Sequence, residues 1–331
     1  MIKTKAYARA GLIGNPSDGY FGKTIAVVVR NFAAEVTLWE SPHLAIVSQR
    51  ADRQEYGNIE DLVEDVKVHG YYGGIRLIKA SIKRVRDYCR THSIELPLKN
   101  FTIAYDTTVP IRVGLAGSSA IVTATIRALL AFYGIEVPKP ALPGLILSVE
   151  LDELKIGAGL QDRVMQVYEG AVFMDFGKAL MEKQGHGNYE QLDVKLLPPL
   201  FVAYHDHLAE GTEVTHNDLR ERFNRGEPEV LAGINRWAEL AQTARDLIVS
   251  NRGREIGPLL NEGFDLRARL IRISEGNMQM VHIGRKLGAC TQFAGSGGAI
   301  IGTYDGDPGR LARLSEAYDA FGARLLVPDI R

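Results

Sequence analysis

Apolar positions follow the two-residue period of strands in some segments and the longer period of helices in others. The pattern predicts strands at 10–13, 24–29, 33–38, 43–48, 101–105, 170–176, 200–204 and 323–327, and a strand–loop–strand unit at 290–302. It predicts helices at 71–89, 121–132, 142–154, 218–225, 230–249, 256–273, 276–287 and 311–321. The first half of the chain therefore mixes strands with helices, and the second half is rich in helices.

The chain has 331 residues, which exceeds the size at which a single hydrophobic core usually stops growing. Two domains are therefore expected. Pro198 and Pro199 interrupt the pattern, and the boundary is predicted within 184–199. We assign residues 1–190 to the first domain and residues 191–331 to the second.

Charge and cysteine content exclude several classes of protein. The formal net charge is −1 and no basic block is present, which argues against nucleic acid and anionic membranes as partners. Cys89 and Cys290 are too few for a disulfide framework. Neither a signal peptide nor an apolar run of membrane-spanning length is visible. A cytoplasmic protein is expected, and its oligomeric state does not follow from the sequence.

The segment Pro110–Ala120 carries the strongest chemical signal. It lies between a predicted strand and a predicted helix, so its backbone N–H groups would lie at the positive end of the helix dipole. Gly114 and Gly117 remove side chains that would keep a phosphate from the backbone, and Ser118 and Ser119 add hydroxyls. This predicts a nucleotide-phosphate site. The alternative is an ordinary serine cap of the helix, which needs no ligand.

A second segment, Ser17–Thr24, is close to a Walker A loop. Its first glycine is replaced by Ser17, and the β-branched run after Lys23 predicts a strand where the loop requires a helix. Lys23 is therefore not expected to bind a nucleotide phosphate as a Walker lysine.

Two further segments complete the pattern. Residues 8–18 form a predicted strand that ends in a Gly-Asn-Pro-Ser-Asp turn, and residues 288–299 form a second small-residue loop. The second loop is also consistent with a plain glycine-rich hairpin. In this order, the three segments resemble those of the GHMP small-molecule kinases, which include galactokinase, homoserine kinase and mevalonate kinase. Ala116 departs from the family pattern, which commonly has glycine there.

Within that family, the similarity is greatest to the branch that phosphorylates glucuronate. It rests on segments 14–25, 72–74, 158–164, 196–200 and 295–299. The resemblance implies two α+β domains, the first like ribosomal protein S5 domain 2 and the second ferredoxin-like, with ATP between them. It implies an ATP-dependent sugar-1-kinase that uses Mg²⁺ and converts D-glucuronate to D-glucuronate 1-phosphate. Two alternatives are a GHMP kinase for galacturonate, a neutral hexose or a heptose phosphate, and a non-catalytic nucleotide or sugar sensor.

The resemblance also implies residue roles for phosphoryl transfer. Asp162 would accept a hydrogen bond from the attacking hydroxyl, either as general base or only to orient it, and Arg9 would neutralise Asp162 or the transferred phosphoryl group. Ser119 and Glu150 would hold Mg²⁺. The phosphate-binding residues would be Pro110, Gly114, Leu115, Ala116, Gly117, Ser118, Ser119 and Ala120. The alternatives are a surface arginine at 9, a solvated acidic helix face at 150 and a turn aspartate at 162.

Sugar recognition is assigned to the polar residues of the same segments. They are Asn15, Ser17, Asp18, Tyr72, Gln161, Gly295, Ser296 and Gly297. A uronate also needs a cation for its carboxylate, and arginine forks suit it best. Lys23, Arg112, Arg163 and Arg267 are candidates, and the sequence does not distinguish among them.

Overall fold

The computed structural model describes residues 1–47, 73–208 and 212–331, with only the backbone of 212–217. Tyr72, which was predicted to bind the sugar, lies outside the described residues, as do the end of the predicted strand 43–48 and the start of the predicted helix 71–89. Among the described residues, no helix combines the length and apolar character needed to cross a membrane. The cytoplasmic location stays a prediction.

The first sheet has six strands and is organised by one very long strand. The strands are β1 (Ile2–Ile13), β2 (Lys23–Glu40), β3 (Ala45–Val47), β4 (Phe101–Thr107), β5 (Ala171–Asp175) and β6 (Asn188–Leu192). Along one edge β2 pairs with β1, and its other edge is shared by β4 and β5 at opposite ends. Outer strands β3 and β6 pair with β4 and β5. Strand β2 is therefore the central strand of this sheet, since it pairs with β1, β4 and β5.

Helices cover the first sheet. They are α1 (Gly74–Thr91), α2 (Gly117–Tyr133), α3 (Leu142–Ser148), a π-helical turn (Val149–Glu153), α4 (Leu160–Tyr168) and α5 (Lys178–Gln184). Helix α2 packs on β1 and β2. Fully buried Ala6, Ala8 and Ala10 leave room on β1, and the Thr4 hydroxyl donates to the Ala124 carbonyl oxygen at 2.7 Å. Close packing of α2 on β1 brings the Pro110–Ala120 loop next to the end of β1.

The second sheet is antiparallel and has the order β10-β7-β9-β8. Its strands are β7 (Leu200–Tyr204), β8 (Cys290–Phe293), β9 (Ala299–Thr303) and β10 (Arg324–Leu326). The accompanying helices are α6 (Thr212–Asn224), α7 (Pro228–Val249), α8 (Gly257–Leu270), α9 (Glu275–Lys286) and α10 (Pro308–Ala320). Helix α7 contacts both β2 and α8, and its Trp237 indole donates to the Gly263 carbonyl oxygen at 2.9 Å. The chain changes from the first sheet to the second between Leu192 and Leu200.

Several predicted elements differ from the observed ones. The strands predicted at 24–29 and 33–38 are one strand, β2. The polar pair Arg30–Asn31 resembles a turn in sequence, but it pairs with the C-terminal tail, where the Asp329 carbonyl oxygen accepts from the Arg30 backbone N–H at 2.9 Å. The helix predicted at 142–154 is α3 followed by the π-helical turn. Strand β6 was not predicted, because its sequence is largely polar.

Helix α2 begins at an unusual residue. Ala116 is the N-cap, with φ of 64° and ψ of 40°, which is the left-handed region. For a residue with a Cβ this conformation costs about 1–2 kcal/mol, whereas glycine adopts it freely. The glycine that is usual in the family would adopt this backbone conformation without strain, whereas alanine adopts it at a cost.

We expect Ala116→Gly to raise the free energy of unfolding by about 1 kcal/mol, because it removes this strain. Urea denaturation measures the change. The control is Ala131→Gly, at an exposed position within α2, which should lower the same quantity by about 1 kcal/mol. If Ala116→Gly destabilises the protein as the control does, the strain is not significant.

Candidate active site

The start of α2 presents uncapped backbone donors. The N-cap residue, Ala116, forms no side-chain cap bond with the residues that the structure describes. The Ser119 hydroxyl instead donates to the Ala116 carbonyl oxygen at 3.1 Å, and Ser119 is buried. The serine-cap alternative is therefore wrong. A helix start without a side-chain cap is suited to an anion, because its first N–H groups lack intrahelical partners.

The two glycine-rich loops lie against each other. The loop after β8 is a hairpin, closed by the Ala294 N–H donating to the Ala299 carbonyl oxygen at 3.0 Å. A Cβ on Gly114, whose φ is 74°, would lie 2.8 Å from the Gly297 carbonyl oxygen and 3.1 Å from the Ser296 nitrogen. Both backbones can approach only because Gly114 has no side chain. The second loop is thus a hairpin, and it packs against the Pro110–Ala120 loop, which we call the phosphate loop for its predicted role.

Arg9 joins these loops to Asp162. Its Nε donates to Asp162 Oδ1 at 2.6 Å, and its Nη1 lies 2.7 Å from the carbonyl oxygens of Gly114 and Ala294. Arg9 is 6% exposed, so the surface-arginine alternative is wrong. One guanidinium thereby fixes three segments that are distant in sequence, and charge-assisted bonds of this kind are among the stronger ones.

A second buried arginine lies on the other side of Asp162. Arg163 pairs with Glu150 and donates to the Gly159 carbonyl oxygen at 2.9 Å, while its Nη1 lies 3.4 Å from Asp162 Oδ2. Glu150 is 3% exposed within the π-helical turn, so it does not belong to a solvated acidic face. Neighbouring Asp152 and Glu153 pair with basic residues of α1 instead. Glu150 is thus the buried carboxylate of this turn.

Asn15 and Gln161 form an acceptor-rich part of the site. A Cβ on Gly11 would lie 3.0 Å from Gln161 Nε2 and 3.2 Å from Asn15 Cγ, so both amides converge on this glycine. Asn15 Oδ1 and Gln161 Oε1 are buried without a hydrogen-bond partner among the described residues. Unpaired buried acceptors are costly, and a ligand that brings hydroxyl donors would satisfy them.

Asp18 adds a carboxylate to this region. Its Oδ2 accepts from the Gln161 backbone N–H at 3.3 Å, and a side chain on Gly159 would collide with it. Burial, helped by the negative charge of Asp162, raises the pKa of Asp18 from 3.8 to about 6. Asp18 is therefore charged at neutral pH, but at a cost to folding.

Other predicted site residues have structural contacts. Ser17 is fully buried and its hydroxyl donates to the Lys23 carbonyl oxygen at 2.9 Å. Lys23 begins β2, as expected for a segment that is not a Walker loop, and pairs with Asp175 at 3.3 Å. Leu115 is buried behind the phosphate loop, and its carbonyl oxygen accepts from the Arg9 backbone N–H at 3.2 Å.

Two supporting side chains were not anticipated from the sequence. Gln166 on α4 donates to the Ala116 carbonyl oxygen at 3.0 Å and accepts from the Thr123 hydroxyl at 3.0 Å. Asn277 on α9 accepts from the Gly298 N–H at 2.8 Å and donates to the Leu208 carbonyl oxygen at 3.1 Å. These amides hold the two glycine-rich loops, and neither lies in a segment with a recognisable pattern.

Comparison with known proteins identifies the class. The profile of the GHMP kinases N terminal domain matches residues 76–170. Glucuronokinase 1 of Arabidopsis thaliana is 38% identical over 321 residues, covering 95% of this chain and 88% of that protein. Probable glucuronokinase 2 of the same plant is 40% identical over 323 residues, covering 96% and 88%.

A solved structure supports the fold. Galactokinase of Lactococcus lactis, in complex with galactose, is 17% identical and superposes with a TM-score of 0.76 over 99% of this chain and 93% of that one. The chain therefore belongs to the GHMP kinases, which confirms the family and the GHMP kinase fold predicted from the sequence. The two relatives with the identities given above are both glucuronokinases by name.

The raised pKa of Asp18 predicts a pH-dependent stability difference. Between about pH 4 and pH 6 the folded state holds a proton that the unfolded state has lost, so stability falls as the pH rises through this window. Asp18→Asn removes this loss. We expect the variant's gain in unfolding free energy over wild type to be about 2–3 kcal/mol larger at pH 8 than at pH 4.

Urea denaturation at the two pH values measures the difference. The control is Asp319→Asn, which removes a charge from an exposed position on α10. A gain for Asp18→Asn that is equal at pH 4 and pH 8 would show that Asp18 is not destabilised by its surroundings.

Proposed function

We propose that the protein is an ATP-dependent kinase that phosphorylates D-glucuronate on its anomeric hydroxyl, giving D-glucuronate 1-phosphate. The observation that carries the proposal is the Arg9–Asp162 pair, which lies where the phosphate loop, the second glycine-rich loop and the first strand meet. The sequence similarity to two glucuronokinases over nearly the whole chain supports the choice of sugar.

In this proposal the start of α2 binds the ATP phosphates. Backbone N–H groups from Gly117 onward and the positive end of the helix dipole favour the negative charge. Gly114 and Gly117 let the phosphates approach the backbone, and the hairpin at Gly295–Gly297 closes the other side. Phosphoryl transfer requires positioning and charge neutralisation more than covalent chemistry, and this arrangement supplies both.

The side-chain oxygens of Ser119 and Glu150 are of the kind that binds Mg²⁺. Mg²⁺ prefers hard oxygen ligands and is commonly held by one or two protein oxygens together with substrate phosphates. Glu150 is a buried carboxylate, and Arg163 pairs with its Oε2. Bound with ATP, the ion would neutralise phosphate charge in the transition state.

Asp162 receives the sugar hydroxyl. Arg9 donates to Oδ1 at 2.6 Å, whereas Arg163 is 3.4 Å from Oδ2, so Oδ2 is the less tightly held oxygen and the better acceptor for a hydroxyl. Its hydrogen bond orients the hydroxyl toward the γ-phosphate, and the carboxylate takes the proton if it acts as base. The remaining sugar hydroxyls donate to Asn15 Oδ1, Gln161 Oε1 and Asp18.

A coupled ADP-release assay with ATP and Mg²⁺ tests the proposal against a panel of sugars. We expect the ratio kcat/KM to be highest for glucuronate within a panel that also holds galacturonate, glucose, galactose, mannose and heptose 7-phosphate. If only a neutral or phosphorylated sugar is turned over, the protein is still a kinase, but a uronate is not its substrate. ATP binding without turnover of any sugar would favour the sensor.

Asp162→Asn keeps the shape of the side chain and removes its charge. We expect kcat to fall by about 10²–10⁴, because a neutral amide is a poorer acceptor and no base. Calorimetric titration should show ATP–Mg²⁺ affinity close to that of wild type. A variant that keeps wild-type kcat would exclude Asp162 from the reaction.

A further inference from the structure

Selectivity for a uronate requires a cation for its carboxylate. The two arginines of the site described above, Arg9 and Arg163, are bound to carboxylates and carbonyl oxygens of the protein. Asp18, Asp162, Asn15 Oδ1 and Gln161 Oε1 are all hydrogen-bond acceptors, so they suit sugar hydroxyls and cannot bind a carboxylate. A hexose and its uronate differ only in that carboxylate, and its binding must decide between them.

The four basic residues proposed from the sequence as partners of the carboxylate have other contacts or positions. Arg163 is committed to Glu150 and to the Gly159 carbonyl oxygen. Lys23 is held by Asp175 and by Gln242, whose Oε1 lies 2.8 Å from Nζ. Arg112 belongs to the phosphate loop itself. Arg267 is 5% exposed inside the second half of the protein, 5.0 Å from the ring centroid of Phe293.

Arg220 on α6 is placed differently. Its guanidinium carbon is 4.2 Å from the ring centroid of Tyr20, and one of its Nη atoms is 3.2 Å from the point where a Cβ on Gly19 would lie. Gly19 and Tyr20 directly follow Asp18 in the 3₁₀ turn Ser17–Tyr20. Arg220 therefore lies beside the acceptor-rich part of the site.

The guanidinium of Arg220 is held in place by an aromatic contact, and its N–H groups remain available for a ligand. Tyr20 is itself fixed by an edge contact with Phe223 of α6 at 5.0 Å. Arg220 forms no hydrogen bond or ion pair with any residue that the structure describes, and it is exposed. A guanidinium over the face of an aromatic ring still has its N–H groups to donate, and two of them can bind one carboxylate.

We propose that Arg220 is the specificity-determining residue that binds the carboxylate of the sugar. Asp18, on the 3₁₀ turn, accepts from the hydroxyls, and Arg220, on α6, donates to the carboxylate. The proposal rests on the uronate kinase function proposed above and assigns to it a residue that none of the three sequence segments contains.

The test compares glucuronate with glucuronamide, which has nearly the same shape but no charge, in wild type and in Arg220→Gln. In Arg220→Gln we expect the KM for glucuronate to rise by at least about tenfold, because a charge-assisted hydrogen bond is lost, while kcat stays nearly unchanged. The glucuronamide KM should change little. Arg220→Lys should recover part of the affinity, since it restores charge without the fork.

Arg225→Gln is the matched control. Arg225 follows α6, carries the same charge and pairs with Glu227 at 2.7 Å, so its loss should leave both sugars unaffected. Thermal unfolding checks that each variant is folded. A wild-type glucuronate KM in Arg220→Gln would overturn the role of Arg220 and leave the kinase function intact. A wild type that prefers glucuronamide or glucose to glucuronate would overturn both proposals.

Discussion

The contacts of Arg9 are the interaction on which the site depends. A charged guanidinium with 6% exposure needs acceptors for its donors, and here Nε donates to Asp162 and Nη1 to two backbone carbonyl oxygens. These acceptors come from three separate parts of the chain. Folding therefore cannot bury Arg9 without also bringing the phosphate loop, the second glycine-rich loop and the start of α4 together.

Small residues make that convergence possible. Gly114 permits the contact with the hairpin, Gly11 leaves space for two amides, and Gly159 leaves space for Asp18. A Cβ at any of these positions would meet backbone or a polar side chain at 3.2 Å or less. The glycines of the three segments thus serve close packing as much as the phosphate binding proposed for them. The strain at Ala116 shows that the packing tolerates a residue other than glycine there.

The sequence predicted the parts of this site that repeat a local pattern. The glycine-serine loop before a helix can be read from neighbouring residues. The role of Asp162 was implied only by the family resemblance, and the helix α4 that carries it was not predicted. Contacts between distant segments leave no such pattern. Gln166 and Asn277 bind loops that are distant from them in sequence, and Arg220 lies outside every segment that carries the family resemblance. Strand β2 was predicted as two strands, because its polar residues Arg30 and Asn31 resemble a turn. In the structure Arg30 pairs with Asp329 near the C-terminus.

The central proposal is that Arg9 and Asp162 direct the anomeric hydroxyl of a uronate to ATP. The most direct measurement is ³¹P and ¹H NMR of the product that forms from glucuronate and ATP–Mg²⁺. The account predicts a new phosphate ester whose phosphorus is coupled to the anomeric proton. A phosphate ester coupled to any other ring proton, or release of inorganic phosphate without an ester, would contradict it.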